Sequence, residues 1–88
     1  MKSIYIGNLS YKATYKQIFN LLAQFGEVNS LTMVSDRHTK RFKGYAFAKM
    51  EDENADTAIS MLNGDKFMGR VINVKNSEQK YISKNYDN

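Results

Sequence analysis

The residues best suited to chemistry in this chain lie in one short run, Lys43-Gly44-Tyr45-Ala46-Phe47-Ala48-Lys49-Met50. If that run is a strand, its period of two sets Lys43, Tyr45, Phe47 and Lys49 on one face and Gly44, Ala46, Ala48 and Met50 on the other. Rings flanked by ammonium groups suit a flat, anionic ligand, because the rings stack on it and the cations attract phosphate. A second run, Ser3-Ile4-Tyr5-Ile6-Gly7, alternates in the same way and sets Tyr5 opposite Ile4 and Ile6.

Other chemistry is thinly represented. His38 is the only histidine, sits among Arg37, Lys40 and Arg41, and has no cysteine anywhere to share a metal. No metal site and no catalytic residue is therefore expected. Glu51, Asp52, Glu53 and Asp56 crowd together, but they open a predicted helix, where negative charge suits the macrodipole. With no glycine-rich phosphate cradle and no pairing of nucleophile with base, neither a cofactor nor a small-molecule substrate is expected.

These side chains need a scaffold, and 88 residues with 42% hydrophobic content suffice for one compact domain with one core. Without cysteine, stability must come from packing. No apolar stretch is long enough for a signal peptide or a membrane span, so a soluble, cytoplasmic and monomeric protein is expected. The net charge of +4 is unevenly spread. Arg37, Lys40, Arg41, Lys43 and Lys49 follow one another with no acid between, and the acidic cluster comes directly after. One side of the molecule should be basic and favour polyanions.

The elements follow from periodicity and punctuation. Thr14-Tyr15-Lys16-Gln17 has the form of a capping box, and Ile18, Leu21, Leu22 and Phe25 continue at helical spacing until Gly26. Val28 to Val34 is β-rich, and Ser35 to Phe42 is a polar, basic loop. Asp52 is the expected N-cap of a second helix whose stripe is Ala55, Ala58, Ile59 and Leu62, ended by Asn63-Gly64. Lys66-Phe67-Met68-Gly69 reads as a turn and Val71-Ile72-Asn73-Val74 as the last strand. The order predicts an α+β, ferredoxin-like split βαβ fold: a four-stranded antiparallel sheet with two helices on one face. The domain is expected over residues 1–76, with a polar, flexible tail over 77–88. That tail carries Tyr81, Ile82 and Tyr86, spaced so that a short helix could lie across the sheet.

Two segments of this pattern resemble the signatures of the RNA recognition motif family. Ile4-Tyr5-Ile6-Gly7-Asn8-Leu9 is similar to the short signature, and Lys43 to Met50 to the long one, in the right order on strands one and three. The resemblance runs from Lys2 to about Asn76, and Ala48 and Met50 depart from it, standing where a larger aliphatic and an aromatic are usual; Met33 or Met61 could fill the space. It implies that Tyr5, Tyr45 and Phe47 stack on bases or sugars and that Lys43 meets a phosphate. It also implies a likeness to the small stand-alone members of the family, including those of bacteria, and a role as a post-transcriptional regulator or RNA-chaperone-like factor.

Around that centre, Asn73 and Lys75 should share the open face if Ile72 and Val74 are buried, and Arg41 adds salt-sensitive attraction from the loop. Thr32 and Lys2 are weaker candidates near the sheet edge. The expected partner is single-stranded RNA, since duplexes hide the base faces. Single-stranded DNA is the alternative ligand, and a protein-interaction module of the same fold is the alternative function. An enzyme on this fold is the third possibility, and the sequence holds no assembled catalytic site for it.

Overall fold

The computed structural model describes residues 1–77. In chain order the elements are β1 (Lys2–Gly7), α1 (Tyr15–Ala23), β2 (Val28–Ser35), β3 (Phe42–Met50), α2 (Asp52–Leu62), β4 (Lys66–Phe67), β5 (Arg70–Val71) and β6 (Asn73–Asn76). The main sheet has the order β2-β3-β1-β6, antiparallel at every pairing. This is the ferredoxin-like arrangement, with the two sequence-distant runs β1 and β3 as central neighbours.

Alternation builds the core. Ile4, Ile6, Ala46, Ala48 and Met50 are buried on the face that the helices cover, where they meet Ile18 and Leu22 of α1 and Ala55, Ala58 and Leu62 of α2. Ile72 and Val74 close the same core from the C-terminal side. Helix α1 starts with the expected capping box. Thr14 Oγ1 accepts from the Gln17 amide at 3.2 Å, and the Thr14 amide donates to Gln17 Oε1 at 2.9 Å.

Strand β2 departs from plain alternation for a packing reason. Val28 pairs with Met50 and Ser30 with Lys49, so one extra residue is accommodated on β2 between these pairs. The irregularity lets Val28 and Leu31, three positions apart, both turn toward the core. A second register shift separates Met33, paired with Ala46, from Ser35, paired with Phe42.

Several boundaries differ from the sequence expectation. Asp52 is the first helical residue of α2, and Glu51 is the N-cap without a side-chain bond. Asp52 and Glu53 instead sit in the first turn, where their negative charge complements the positive end of the helix dipole. Lys66-Phe67 and Arg70-Val71 pair as a small hairpin, with Met68 and Gly69 both at positive φ, as a primed two-residue turn requires. The last strand of the main sheet therefore begins at Asn73, two residues later than expected. Asn63 Oδ1 accepts from the Val74 amide at 2.9 Å and ties the end of α2 to β6. The proposed tail helix at Tyr81 and Ile82, with Tyr86, lies outside the described residues.

Of the two methionines expected to fill the space beside the small Ala48, one is turned inward. Met33 packs against the core, whereas Met61 is 60% exposed on the outer side of α2. Leu22→Ala should lower unfolding stability by about 2–5 kcal/mol, because its methyl groups leave a cavity in a closed core. Met61→Ala should change it by about 0.5 kcal/mol or less. Urea unfolding of the two variants distinguishes them, and a large loss in Met61→Ala would show that α2 has been placed in the wrong rotation.

Candidate nucleic-acid interface

The face of the sheet turned away from the helices is organised in rows that run across the strands. Lys75 of β6 pairs with Tyr5 of β1, Tyr5 with Phe47 of β3, and Phe47 with Thr32 of β2. Tyr45 stands two positions along β3 from Phe47, on the same side. The three rings form a triangle, with centroids 5.9 Å apart for Tyr5 and Tyr45, 5.7 Å for Tyr5 and Phe47, and 6.1 Å for Tyr45 and Phe47. They are tilted to one another by 39° to 88°, within the range in which ring pairs attract. All three are half-buried, and each abuts the other two.

Charge borders the rings. Lys75 Nζ lies 5.4 Å from the Tyr5 centroid, in cation–π range. Asn73 is exposed opposite Gly7, one row from Lys75. At the other end, Arg41, Lys43 and Tyr45 line a cleft of about 680 Å³ together with Tyr11, Asp36 and Phe42. The structure thus brings all seven expected residues, Tyr5, Arg41, Lys43, Tyr45, Phe47, Asn73 and Lys75, onto one face or its rim. Lys2 belongs elsewhere: it pairs with Met50, shares the helix-covered side with Ile4, and its Nζ meets Asp56 of α2 at 2.8 Å. The alternation of β1 already contained that answer, since Lys2 and Ile4 are two residues apart.

Two glycines shape the platform. A Cβ on Gly7 would overlap the Tyr5 hydroxyl, so Tyr5 lies along its own strand over a residue with no side chain. Gly44 has φ +88° at the second register shift, and its carbonyl accepts from the Leu9 amide at 2.8 Å. A Cβ there would press on Tyr11 and on the Leu9 carbonyl. That docking holds Tyr11, 76% exposed, beside the cleft. Sequence reasoning did not single out Tyr11; the signal would have been an aromatic in the loop that follows the first strand.

The loop between β2 and β3 is closed from within. Asp36 Oδ1 accepts from the His38 and Thr39 amides at 2.8 and 2.9 Å. The Asp36 amide donates to the Arg41 carbonyl at 2.8 Å, and the Lys40 amide to the Asp36 carbonyl at 2.9 Å. The Thr39 and His38 amides, with lesser help from the Lys43 charge, hold the Asp36 carboxyl below its ordinary value of 3.8. Among the described residues no group of three or more His, Cys, Asp and Glu could hold a metal, and no helix is long and apolar enough to cross a membrane.

Residues 4–73 match the family model of the RNA recognition motif. The chain is 42% identical over 77 residues to the "Putative RNA-binding protein RbpD" of Nostoc sp. strain PCC 7120, covering 86% of this chain and 82% of that one. Among solved structures, it is similar to the crystal structure of RNA-binding protein PG1, with a TM-score of 0.87 and 34% identity over 91% of this chain and 98% of that one. The structure of the Rna15 RRM with bound RNA (GU) aligns with a TM-score of 0.80 and 34% identity, covering 92% of this chain and 87% of that one.

Two consequences of the geometry can be measured. Gly7→Ala should push the Tyr5 ring off the strand, seen as altered Tyr5 ring resonances with the sheet amides unchanged; unchanged ring resonances would refute the placement. In an acid titration, the His38 and Thr39 amide resonances should report a midpoint below 3.8. A carboxyl depressed in the folded state stabilises the loop above its unfolded pKa, and that contribution is lost as pH falls through the folded value. A midpoint at or above 3.8 would mean that these bonds do not persist in solution.

Proposed function

The chain belongs to the RNA recognition motif family, and we propose that it is a single-stranded RNA-binding module that stacks bases on Tyr5, Tyr45 and Phe47. The observation that carries this reading is the triangle of rings on the sheet face turned away from the helices, each centroid within 6.1 Å of the others, with Lys75 over Tyr5. A base offers a π-face whatever its identity, and only unpaired strands leave that face free. The RNA-binding relatives, and the bound GU RNA in the related Rna15 domain, support RNA as the ligand.

In the proposed complex Lys43 contacts a backbone phosphate, Arg41 adds attraction from the loop, and Asn73 hydrogen-bonds a base edge. Lys75 serves both the Tyr5 ring and the approaching anion. The site is complete within one chain, so the proposed unit is a monomer, acting in the cytoplasm on RNA after transcription. Chemistry is not needed for such a role. A stacking module requires only that the rings be held before the ligand arrives, and their mutual packing does that.

Anisotropy with labelled single-stranded RNA, single-stranded DNA and duplex RNA tests the proposal. Single-stranded RNA should bind most tightly. Tyr45→Ala with Phe47→Ala, checked for folding by circular dichroism, should weaken it by about tenfold or more, because stacking contributes about 1–3 kcal/mol per base. Equal binding by the folded double variant would end the stacking reading. Preference for single-stranded DNA would keep the rings and change the ligand. Lys43→Gln should lower the slope of log affinity against log salt by roughly one phosphate contact.

A further inference from the structure

Next to the ring triangle lies a second row on the open face that the proposed function leaves unused. Ser3 of β1 pairs with Lys49 of β3, and Lys49 with Ser30 of β2. It is the irregularity between Val28 and Ser30 that brings Ser30 opposite Lys49. Strand geometry sets this row about 6.6–6.8 Å from the row of Tyr5, Phe47 and Thr32, two residues along each strand. Between the rows is a hollow of about 240 Å³ lined by Ser3, Ser30, Thr32, Phe47, Ala48 and Lys49. An occupant of the hollow therefore touches the Phe47 ring and the polar groups together.

The polar groups are uncommitted. Among the described residues, the Ser3, Ser30 and Thr32 hydroxyls and the Lys49 ammonium make no side-chain hydrogen bond or ion pair. Their chemistry is asymmetric. A hydroxyl donates or accepts as its partner requires, whereas an ammonium only donates. The hydroxyls thus adapt to any base edge, and Lys49 imposes a demand for an acceptor.

We propose that this hollow reads the edge of the base stacked on Phe47 and prefers a keto base, uracil or guanine, over an amino base, cytosine or adenine. The inference rests on the stacking reading above and adds base selection to it. A base entering edge first, with its sugar outside, leads with the exocyclic group farthest from the glycosidic bond. In uracil that group is the O4 carbonyl, and in guanine the O6 carbonyl shares the leading edge with the N2 amino group; either oxygen accepts from Lys49. In cytosine and adenine it is an amino group, which meets the ammonium donor to donor and leaves both without a partner.

Uracil and cytosine isolate the effect, because they have nearly the same size and stacking face. Labelled oligouridine and oligocytidine of equal length are titrated by anisotropy into wild type, Lys49→Met and Lys49→Glu, each checked for folding by circular dichroism. Wild type should favour oligouridine by about tenfold, the size expected of one hydrogen bond to a charged group. The ratio should fall to parity in Lys49→Met and to parity or below in Lys49→Glu, whose carboxylate accepts from the cytosine amino group. If both oligonucleotides bind wild type equally, or if the variants weaken both by the same factor, Lys49 is a phosphate contact at most and the inference fails while stacking stands. If neither oligonucleotide binds wild type, the stacking reading fails and this one with it.

Discussion

A β-sheet with helices on one side only must sort its side chains by the pleat, and almost everything about this molecule follows from that sorting. The central strands β1 and β3 send Ile4, Ile6, Ala46, Ala48 and Met50 to the helices. The same strands then have no choice about Tyr5, Tyr45 and Phe47, which face away. A register slip of one residue would exchange the two sets, placing three aromatic rings under the helices and the aliphatic side chains in water. Apolar burial on one face thus fixes the position of the rings on the other. The candidate interface is held in place by a core on the opposite face of the sheet.

What the rings gain from one another is order. A lone exposed tyrosine or phenylalanine samples several rotamers, and a ligand must select among them at an entropic cost. Here each ring abuts two others, Tyr5 is laid over the bare Gly7, and Lys75 sits on its face. The loop between β2 and β3 is ordered in a comparable way, through four backbone-directed bonds centred on Asp36. Both parts of the interface are assembled before any ligand is present, and the glycines at 7 and 44 are as necessary to that assembly as the rings themselves.

The fold and the centre of the site were legible because they depend on short-range periodicity. The capping box at Thr14, the helical stripe through Ile18 and Leu22, and the alternation of β1 and β3 each reflect a period that the chain keeps over several residues. What escaped reading depends on contacts between distant segments. The two register shifts in β2 and β3 answer packing against Met50 and docking of Leu9 on Gly44, which no local pattern announces. The hairpin of β4 and β5 turns at Met68, a residue type that rarely adopts positive φ; Lys66 to Gly69 reads as a turn in the sequence, but the two-residue strands that pair across it carry no pattern long enough to read. Met61 was offered to the core on size, although Ala58 and Leu62 had already fixed the inward side of its helix.

Stacking and charge, the two sources of affinity in the proposed complex, are both indifferent to sequence. Every base has a π-face, and every nucleotide brings the same phosphate. Selection among RNAs therefore has to come from groups that border the rings without being rings. In the proposed complex two sets of groups border the rings: Asn73 beside Lys75 on β6, and the hydroxyls with Lys49 toward β2. An amide offers both a donor and an acceptor and can turn to suit its partner, whereas an ammonium cannot accept. Discrimination is strongest where a buried group has only one role to play, because the wrong partner then costs a desolvated donor with nothing to replace its water. On that ground the β2 side of the platform, where a base would cover a donor-only group, is better built to choose than the β6 side, where Asn73 can adapt.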